Sequence, residues 1–237
     1  MLQNMMKREC LEYSYQRYDN PLVKEIRLLH MHRDNDKKGD CCEVIFVDGS
    51  SAIHKLNNSS AYTSQYGVPL SADGSTMYIS DWYHGLTAYD TRSGNQLWKM
   101  KKPHIRMTHL FSDFGVTVQY GKALLQFDLE SGEILNTLNS GQIEDMFYLK
   151  DDLVLISRYR GSVCIIDCLS MTVVKKISPA VLNPHECLSL SLDNVYLKDN
   201  KVIAVGVESL SRTDAKYKTP HDFSRILCEI ADRGMAP

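Results

Sequence analysis

The amino-acid sequence predicts an all-β protein, built as a single β-propeller of five four-stranded blades. Three observations predict it: a strand-turn-strand phrase recurs about every 40 residues, the apolar segments have strand length, and no segment has a helical period. The chain has 237 residues, of which 43% are hydrophobic and 24% charged, with a net charge of −2. This composition excludes a disordered or collagen-like chain, and the length suffices for a core that needs no disulfide or metal.

Four aspartates mark the repeat. Each of them follows an apolar segment, has a serine three residues later, and has Gly, Ala or Met four residues later. They are Asp48, Asp90, Asp128 and Asp167, which lie 42, 38 and 39 residues apart. Aspartate and serine side chains bond to the turn backbone and glycine supplies a positive φ, so each phrase predicts a hairpin. Each interval matches one blade of about 40–45 residues.

The apolar segments within and around these intervals supply the predicted strands. They lie at 10–17, 22–32, 96–100, 109–112, 115–120, 123–127, 133–138, 146–149, 153–158, 162–166, 172–177, 189–197, 202–207 and 226–230. Residues 209–224 are interpreted as an insertion in the last blade, and residues 1–237 as one domain. We expect the first strand, around 11–18, to lie beside the C-terminal strand and close the ring, because an unclosed ring leaves an open edge.

The phrase at 88–98, Ala-Tyr-Asp-Thr-Arg-Ser-Gly-Asn-Gln-Leu-Trp, resembles the quinoprotein-type (PQQ-type, WD-like) propeller repeat. Ser93 stands where that family usually has Thr, and Trp98 occupies the family's packing position. The later phrases depart from the pattern, since Leu135 falls one residue early and Met171 replaces the glycine. Family members that lack the cofactor act as protein-binding platforms or assembly factors, which is what the resemblance implies here.

No cofactor or metal is expected. Quinone-dependent members of the family hold their cofactor under a vicinal disulfide, but the adjacent Cys41 and Cys42 are interpreted as the start of a strand. The seven cysteines are irregularly spaced, which is typical of reduced thiols in a cytoplasmic protein. His30 and His32 alternate on a strand without a nearby third ligand, and residues 34–40 lack the twelfth-position acid of a calcium loop.

Three turns that precede the Asp-bearing strands each contain a tyrosine next to a cationic group. They read Tyr83-His84-Gly85, Tyr120-Gly121-Lys122 and Tyr159-Arg160-Gly161, and the 209–224 insertion adds Arg212, Lys216, Tyr217, Lys218 and His221. In a propeller such turns meet at one end of the ring, so they predict an aromatic and basic rim of the kind that protein interfaces use. The alternative is that Tyr-Gly pairs simply form good hairpins.

The sequence therefore predicts a non-enzymatic, monomeric, cytoplasmic protein that binds a protein partner, one with an acidic contact surface. An inhibitor of the immunity type, which caps and neutralises its partner, is the specific hypothesis. No catalytic motif and no export signal is visible in the sequence. The alternative is a propeller hydrolase or lyase whose acids and histidines converge on the central channel from separate blades. Nucleic-acid binding is less favoured, because the chain is slightly acidic, and no membrane association is expected.

Overall fold

A computed structural model of the protein describes residues 10–31, 39–56, 67–158, 163–177, 187–199, 201–210 and 221–229. All regular structure in these ranges is β-strand, so the predicted all-β class is confirmed. The strands are β1 (Cys10–Arg17), β2 (Val23–Met31), β3 (Gly39–Phe46), β4 (Ser51–Lys55), β5 (Thr76–Asp81), β6 (Gly85–Asp90), β7 (Gln96–Met100), β8 (Ile105–Leu110), β9 (Phe114–Gln119), β10 (Ala123–Asp128), β11 (Ile134–Asn139), β12 (Ile143–Lys150), β13 (Leu153–Arg158), β14 (Val163–Asp167), β15 (Thr172–Ile177), β16 (Cys187–Lys198), β17 (Lys201–Leu210) and β18 (His221–Glu229). None of the described residues forms a helix that could span a membrane.

The strands pair with their neighbours in chain order, as blades require. Four-stranded sheets are formed by β1–β4, β8–β11 and β12–β15, whereas β5–β7 and β16–β18 have three strands each. An isolated antiparallel bridge between Leu70 and Met77 extends the β5–β7 sheet by one residue pair next to β5. If the Leu70 bridge is counted as the first segment of the β5–β7 sheet, each of these four sheets has four segments. In each, one of the four repeat aspartates lies at the connection between the third and the fourth segment. The number of blades in a closed ring stays a prediction.

Several strand predictions match the structure residue for residue, whereas those at 109–112 and 226–230 are displaced, the second because β18 spans His221–Glu229. The segments predicted at 10–17, 96–100, 153–158 and 172–177 are β1, β7, β13 and β15. The segment predicted at 109–112 is wrong in its position, because β8 runs from Ile105 to Leu110. The reason is a tight turn: the Phe111 N–H donates to the Phe114 carbonyl, and the two rings stack with centroids 4.8 Å apart.

The chain folds as two compact units. The first comprises residues 1–119 and 125–135, and the second comprises 120–124 and 136–237. In the first unit, residues of the β1–β4 and β5–β7 sheets share a buried core that includes Ile26, Val44, Met77 and Tyr89. In the second, residues from β12 to β17 build another core around Leu155 and Ile165. The prediction of one domain over residues 1–237 stays a prediction.

The Asp90 and Asp128 turns have the same hydrogen bonds. One carboxylate oxygen of each aspartate accepts from both the backbone N–H and the hydroxyl of the serine three residues later, all at 2.7 Å. The glycines four residues after each aspartate have φ of +70° and +73°, values that L-residues rarely adopt. The predicted turn chemistry is confirmed here. At Asp167 the carboxylate accepts from the Ser170 N–H at 3.2 Å, the Ser170 hydroxyl bonds to that of Thr172 instead, and Met171 takes the positive φ of 51°.

The first phrase, at Asp48, folds differently from the prediction. Asp48 and Gly49 lie at the tip of a shorter hairpin, in which the Phe46 N–H donates to the Ser50 carbonyl. The serine bonded to the Asp48 carboxylate is therefore Ser50, two residues on, and the positive φ of 84° belongs to Gly49. The serine at position three, Ser51, already begins β4.

Two junctions link consecutive sheets of the first unit. Trp98 of β7 donates its ring N–H to the Leu129 carbonyl at 2.9 Å, and its ring lies against Gly132. His54 of β4 occupies the same place one sheet earlier: its Nε2 donates to the Thr91 carbonyl at 2.8 Å, and its ring lies against Gly94. The packing position assigned to Trp98 from the repeat is therefore filled in the first sheet by a histidine.

The expected closure strand is part of the first sheet. Over its whole length, from Cys10↔Met31 to Arg17↔Glu25, β1 pairs antiparallel with β2. The last described sheet has the order β16-β17-β18. These pairings do not confirm that residues 11–18 complete the last blade.

Candidate protein-binding surface

The turn between β5 and β6 is fixed by a buried carboxylate. Asp81 is fully buried, and its Oδ1 accepts from the backbone N–H groups of Tyr83 and His84 at 2.7 and 2.8 Å. The same oxygen lies 3.1 Å from His84 Nδ1, which makes an ion pair when the imidazole is protonated. These bonds hold the turn backbone in one conformation, while the Tyr83 side chain is left 59% exposed.

The loop between β7 and β8 packs beside that turn. The His104 N–H donates to the Trp82 carbonyl at 2.5 Å, and the two rings lie with centroids 4.8 Å apart. Gly85 is a close-approach glycine, because a Cβ there would overlap the Met100 carbonyl oxygen. The turn and the loop therefore form one surface of the first unit.

We call this surface the aromatic-basic patch, and it consists of Trp82, Tyr83, His84, Lys101, Lys102 and His104. Tyr83 and both lysines are exposed, and the other three side chains are half-buried. Trp, Tyr and His rings offer apolar area with few rotatable bonds, and the two ammonium groups attract carboxylates. The arrangement can bind an acidic segment, and it contains no nucleophile with an orienting base.

The second predicted turn lies at the start of the second unit, between β9 and β10. Lys122 is exposed, Gly121 has φ of +72°, and the Tyr120 hydroxyl is half-buried and accepts from the side-chain amide of Gln142. The preceding residue, Gln119, belongs to the first unit, and its amide donates to the Pro103 carbonyl at 3.2 Å. Tyr120 is therefore bonded within its own unit and half-buried, whereas Tyr83 is 59% exposed.

The remaining predicted rim residues lie outside the described residues. They are Tyr159, Arg160, Gly161, Arg212, Lys216, Tyr217 and Lys218, and of His221 only the backbone is described, as the first residue of β18. The insertion predicted at 209–224 is too long at both ends, because β17 continues to Leu210 and β18 begins at His221, so only residues 211–220 lie between the two strands. The meeting of all these turns on one rim stays a prediction.

Sequence reasoning missed four of the six residues of the patch. Trp82 directly precedes Tyr83 but was not predicted as a site residue. Lys101, Lys102 and His104 were not predicted because their contact with the Tyr83 turn depends on the fold. A Lys-Lys-Pro-His segment after an outer strand was the available signal.

Cys41, Cys42, Cys164 and Cys168 are buried free thiols, which agrees with the interpretation of the first two as strand residues. Both lie in β3, and burial raises the pKa of the Cys42 thiol well above its ordinary value. Its Sγ lies 3.9 Å from Met77 Sδ in the core. Within the described ranges no group of three or more His, Cys, Asp or Glu is placed to hold a metal ion, and His32 and residues 34–38 lie outside those ranges.

A polar cleft of about 420 Å³ lies elsewhere in the first unit, among the first strands of three sheets. Its lining includes Gln16 and Tyr18, whose side chains bond to the Val68 backbone, and Asn20, whose amide donates to the Ser71 and Ala72 carbonyls. Burial raises the pKa of Tyr18 and lowers that of His109, so it favours the neutral form of both. These polar groups hold backbone segments together, and no catalytic arrangement is visible in the cleft.

A solved structure similar to this chain is the crystal structure of BamB from Moraxella catarrhalis, a β-propeller of PQQ-like repeats. The two align with a TM-score of 0.52 and 14% sequence identity, over 84% of this chain. This protein has a β-propeller fold. The alignment covers 63% of the BamB chain, so the protein spans less than two thirds of that structure's length. No protein-family model and no curated protein sequence matches the chain, and the likeness to BamB therefore shows the fold alone.

Proposed function

We propose that the protein is a non-enzymatic, cytoplasmic β-propeller that binds an acidic segment of a protein partner on the aromatic-basic patch. The single observation that carries the proposal is Tyr83, a 59% exposed aromatic side chain on a turn fixed by the fully buried Asp81. Exposed aromatic residues on rigid backbone are typical anchors of protein interfaces, because little conformational entropy is lost when they bind.

The charges beside Tyr83 set the partner's chemistry. Lys101 and Lys102 are exposed, and the half-buried His84 and His104 belong to the same patch. The Asp81 carboxylate is withdrawn from solvent and bonded to the turn, so the surface presented to a partner is cationic. Cationic groups around an aromatic anchor accelerate the association of an acidic partner, and the effect falls with added salt.

An affinity pull-down with matched variants tests the proposal. Wild type, Tyr83→Ala and Lys101→Glu/Lys102→Glu are used as bait in an extract of the source cells. The matched control is Lys175→Glu/Lys176→Glu, which reverses another adjacent exposed lysine pair, on β15. We expect a partner that wild type and the control retain and that both patch variants lose. Retention by the patch variants, with wild-type circular dichroism spectra, would contradict the proposal.

The finer proposal is that the protein neutralises its partner, as an immunity-type inhibitor does. It is supported by a patch suited to binding and by the lack of a catalytic arrangement among the described residues. The activity of the captured partner is measured with increasing amounts of wild type and of Tyr83→Ala. Inhibition by wild type at stoichiometric amounts, and weaker inhibition by the variant, is expected. Unchanged partner activity would reject the inhibitor hypothesis, and the protein would then be a binding platform only.

A further inference from the structure

The outer strands of the four sheets that carry the repeat aspartates differ at one position. In β7, Lys99 directly follows the junction residue Trp98, and in β4, Lys55 directly follows the junction residue His54. In β15, Lys176 pairs with Cys164 of β14, which lies three residues before Asp167. Lys99 of β7 likewise pairs with Thr87 of β6, three residues before Asp90. Charged residues, and lysine above all, prevent an exposed edge strand from pairing with another chain.

Only β11 lacks this lysine among the four. The ninth residue after Asp128 is Thr137, whereas the ninth residues after Asp90 and Asp167 are Lys99 and Lys176. The whole strand, Ile-Leu-Asn-Thr-Leu-Asn, is uncharged, and Leu135 is 50% exposed. β11 is the last strand in the order β11-β10-β9-β8, so β10 is its one hydrogen-bonded neighbour among the described strands.

We propose that β11 is a docking edge, to which an extended segment of a protein partner adds as a further strand. The exposed acids Glu130 and Glu133 lie in the turn that leads into β11, so the added segment carries a lysine or arginine next to its apolar residues. A second copy that paired through its own β11 would offer no such cation, because that strand is uncharged and follows the same two acids. The inference shares with the proposed function only the existence of a protein partner, and it concerns different residues.

Fluorescence anisotropy with two labelled peptides tests the inference on the full chain. The probes are Lys-Thr-Val-Thr-Val-Thr-Lys and its acid-flanked counterpart Glu-Thr-Val-Thr-Val-Thr-Glu. Thr137→Lys supplies β11 with the lysine of the other outer strands, and Lys176→Thr removes that lysine from β15. We expect wild type to bind the basic probe more tightly than the acidic one, and Thr137→Lys to bind the basic probe about tenfold more weakly or worse. Lys176→Thr is expected to gain binding.

The outcomes separate this inference from its alternatives. If the basic probe fails to bind wild type, or binds Thr137→Lys equally well with an unchanged melting temperature, the docking edge is rejected. The inference is overturned if light scattering shows that wild type is a dimer, that Thr137→Lys is a monomer, and that the dimer does not bind the probe. In that case a second copy of the chain occupies the edge. Tyr83→Ala is expected to bind the basic probe like wild type, so failure of the patch and failure of β11 are distinguishable.

Discussion

The two junctions of the first unit make the same contact with different side chains. At the second, Trp98 packs on Gly132 and its ring also lies near Tyr78 and Phe127, with centroids 5.8 and 5.9 Å away. At the first, the smaller ring of His54 packs on Gly94 and keeps the equivalent hydrogen bond, to the carbonyl of the residue that follows the aspartate. The two junctions therefore share one contact, in which a ring N–H donates to a turn carbonyl and the ring packs against a glycine of the same turn.

This difference predicts unequal stabilities for the two junctions. Trp98→Ala removes a large buried ring and its aromatic neighbours, so we expect a loss of about 3–5 kcal/mol in the free energy of unfolding. His54→Ala removes less apolar area and one buried hydrogen bond, for which about 1–2 kcal/mol is expected. Urea unfolding followed by circular dichroism measures both. Equal losses would show that the aromatic cluster around Trp98 adds no stability beyond the junction contact.

The glycine side of the junction offers a sharper experiment, because the chain contains a matched control. Gly132 and Gly121 have nearly the same φ, +73° and +72°, but a Cβ at Gly132 would overlap the Trp98 ring, while one at Gly121 would meet nothing within 4 Å. Gly121→Ala therefore carries only the backbone strain, about 1–2 kcal/mol. Gly132→Ala adds overpacking against the ring, for a further loss of about 1–3 kcal/mol.

The measurement is the difference between the two variants in urea midpoint and slope. If they lose the same free energy of unfolding, the Trp98 ring moves aside without cost, and the junction is not tightly packed. Combining Gly132→Ala with Trp98→Ala is expected to recover part of the loss, because the clash requires both groups.

The sequence predicted those parts of the fold that depend on local turn chemistry. Asp90, Asp128 and Asp167 were recognised as turn anchors because their serines lie at a fixed offset, and β7 and β15 followed from the Asp90 and Asp167 turns. His54 was missed because the first hairpin is shorter: His54 is six residues after Asp48, while Trp98 is eight after Asp90. Its role depends on a contact with the next sheet, which spacing alone does not reveal.

The residues of the candidate site were likewise predicted only where local turn chemistry identifies them. The exposed Tyr83 was predicted from a local Tyr-His-Gly turn. Asp81, which fixes that turn, and His104, whose ring contacts that of Trp82, belong to the site through burial and through a contact between two loops. The lysine missing from β11 could have been read from the sequence, but only once the outer strands had been aligned by their hydrogen-bonding partners.

The smallest expected effect concerns the charge that the regular turns carry. Hydrogen bonds from the Ser131 hydroxyl and N–H lower the pKa of Asp128 below its ordinary value of 3.8. A carboxylate whose pKa is lower in the folded state stabilises the fold above its unfolded pKa, and that contribution disappears as the pH falls through the folded pKa. Ser131→Ala removes the hydroxyl's bond to the exposed carboxylate, so a loss of about 0.5 kcal/mol is expected at pH 7.

Because the lost bond is strongest to the ionised carboxylate, the difference between wild type and Ser131→Ala should shrink as the pH is lowered from 5 towards 2. Urea unfolding at each pH measures it, and effects of other titrating groups cancel in the difference. Ser50→Ala at the shorter Asp48 hairpin is the comparison, since Ser50 also lowers the pKa of its aspartate, from a different offset. Parallel pH dependence at both turns would show that the hydrogen bond, and not the hairpin length, sets the acid sensitivity. A constant difference at Ser131 across this range would contradict the assignment.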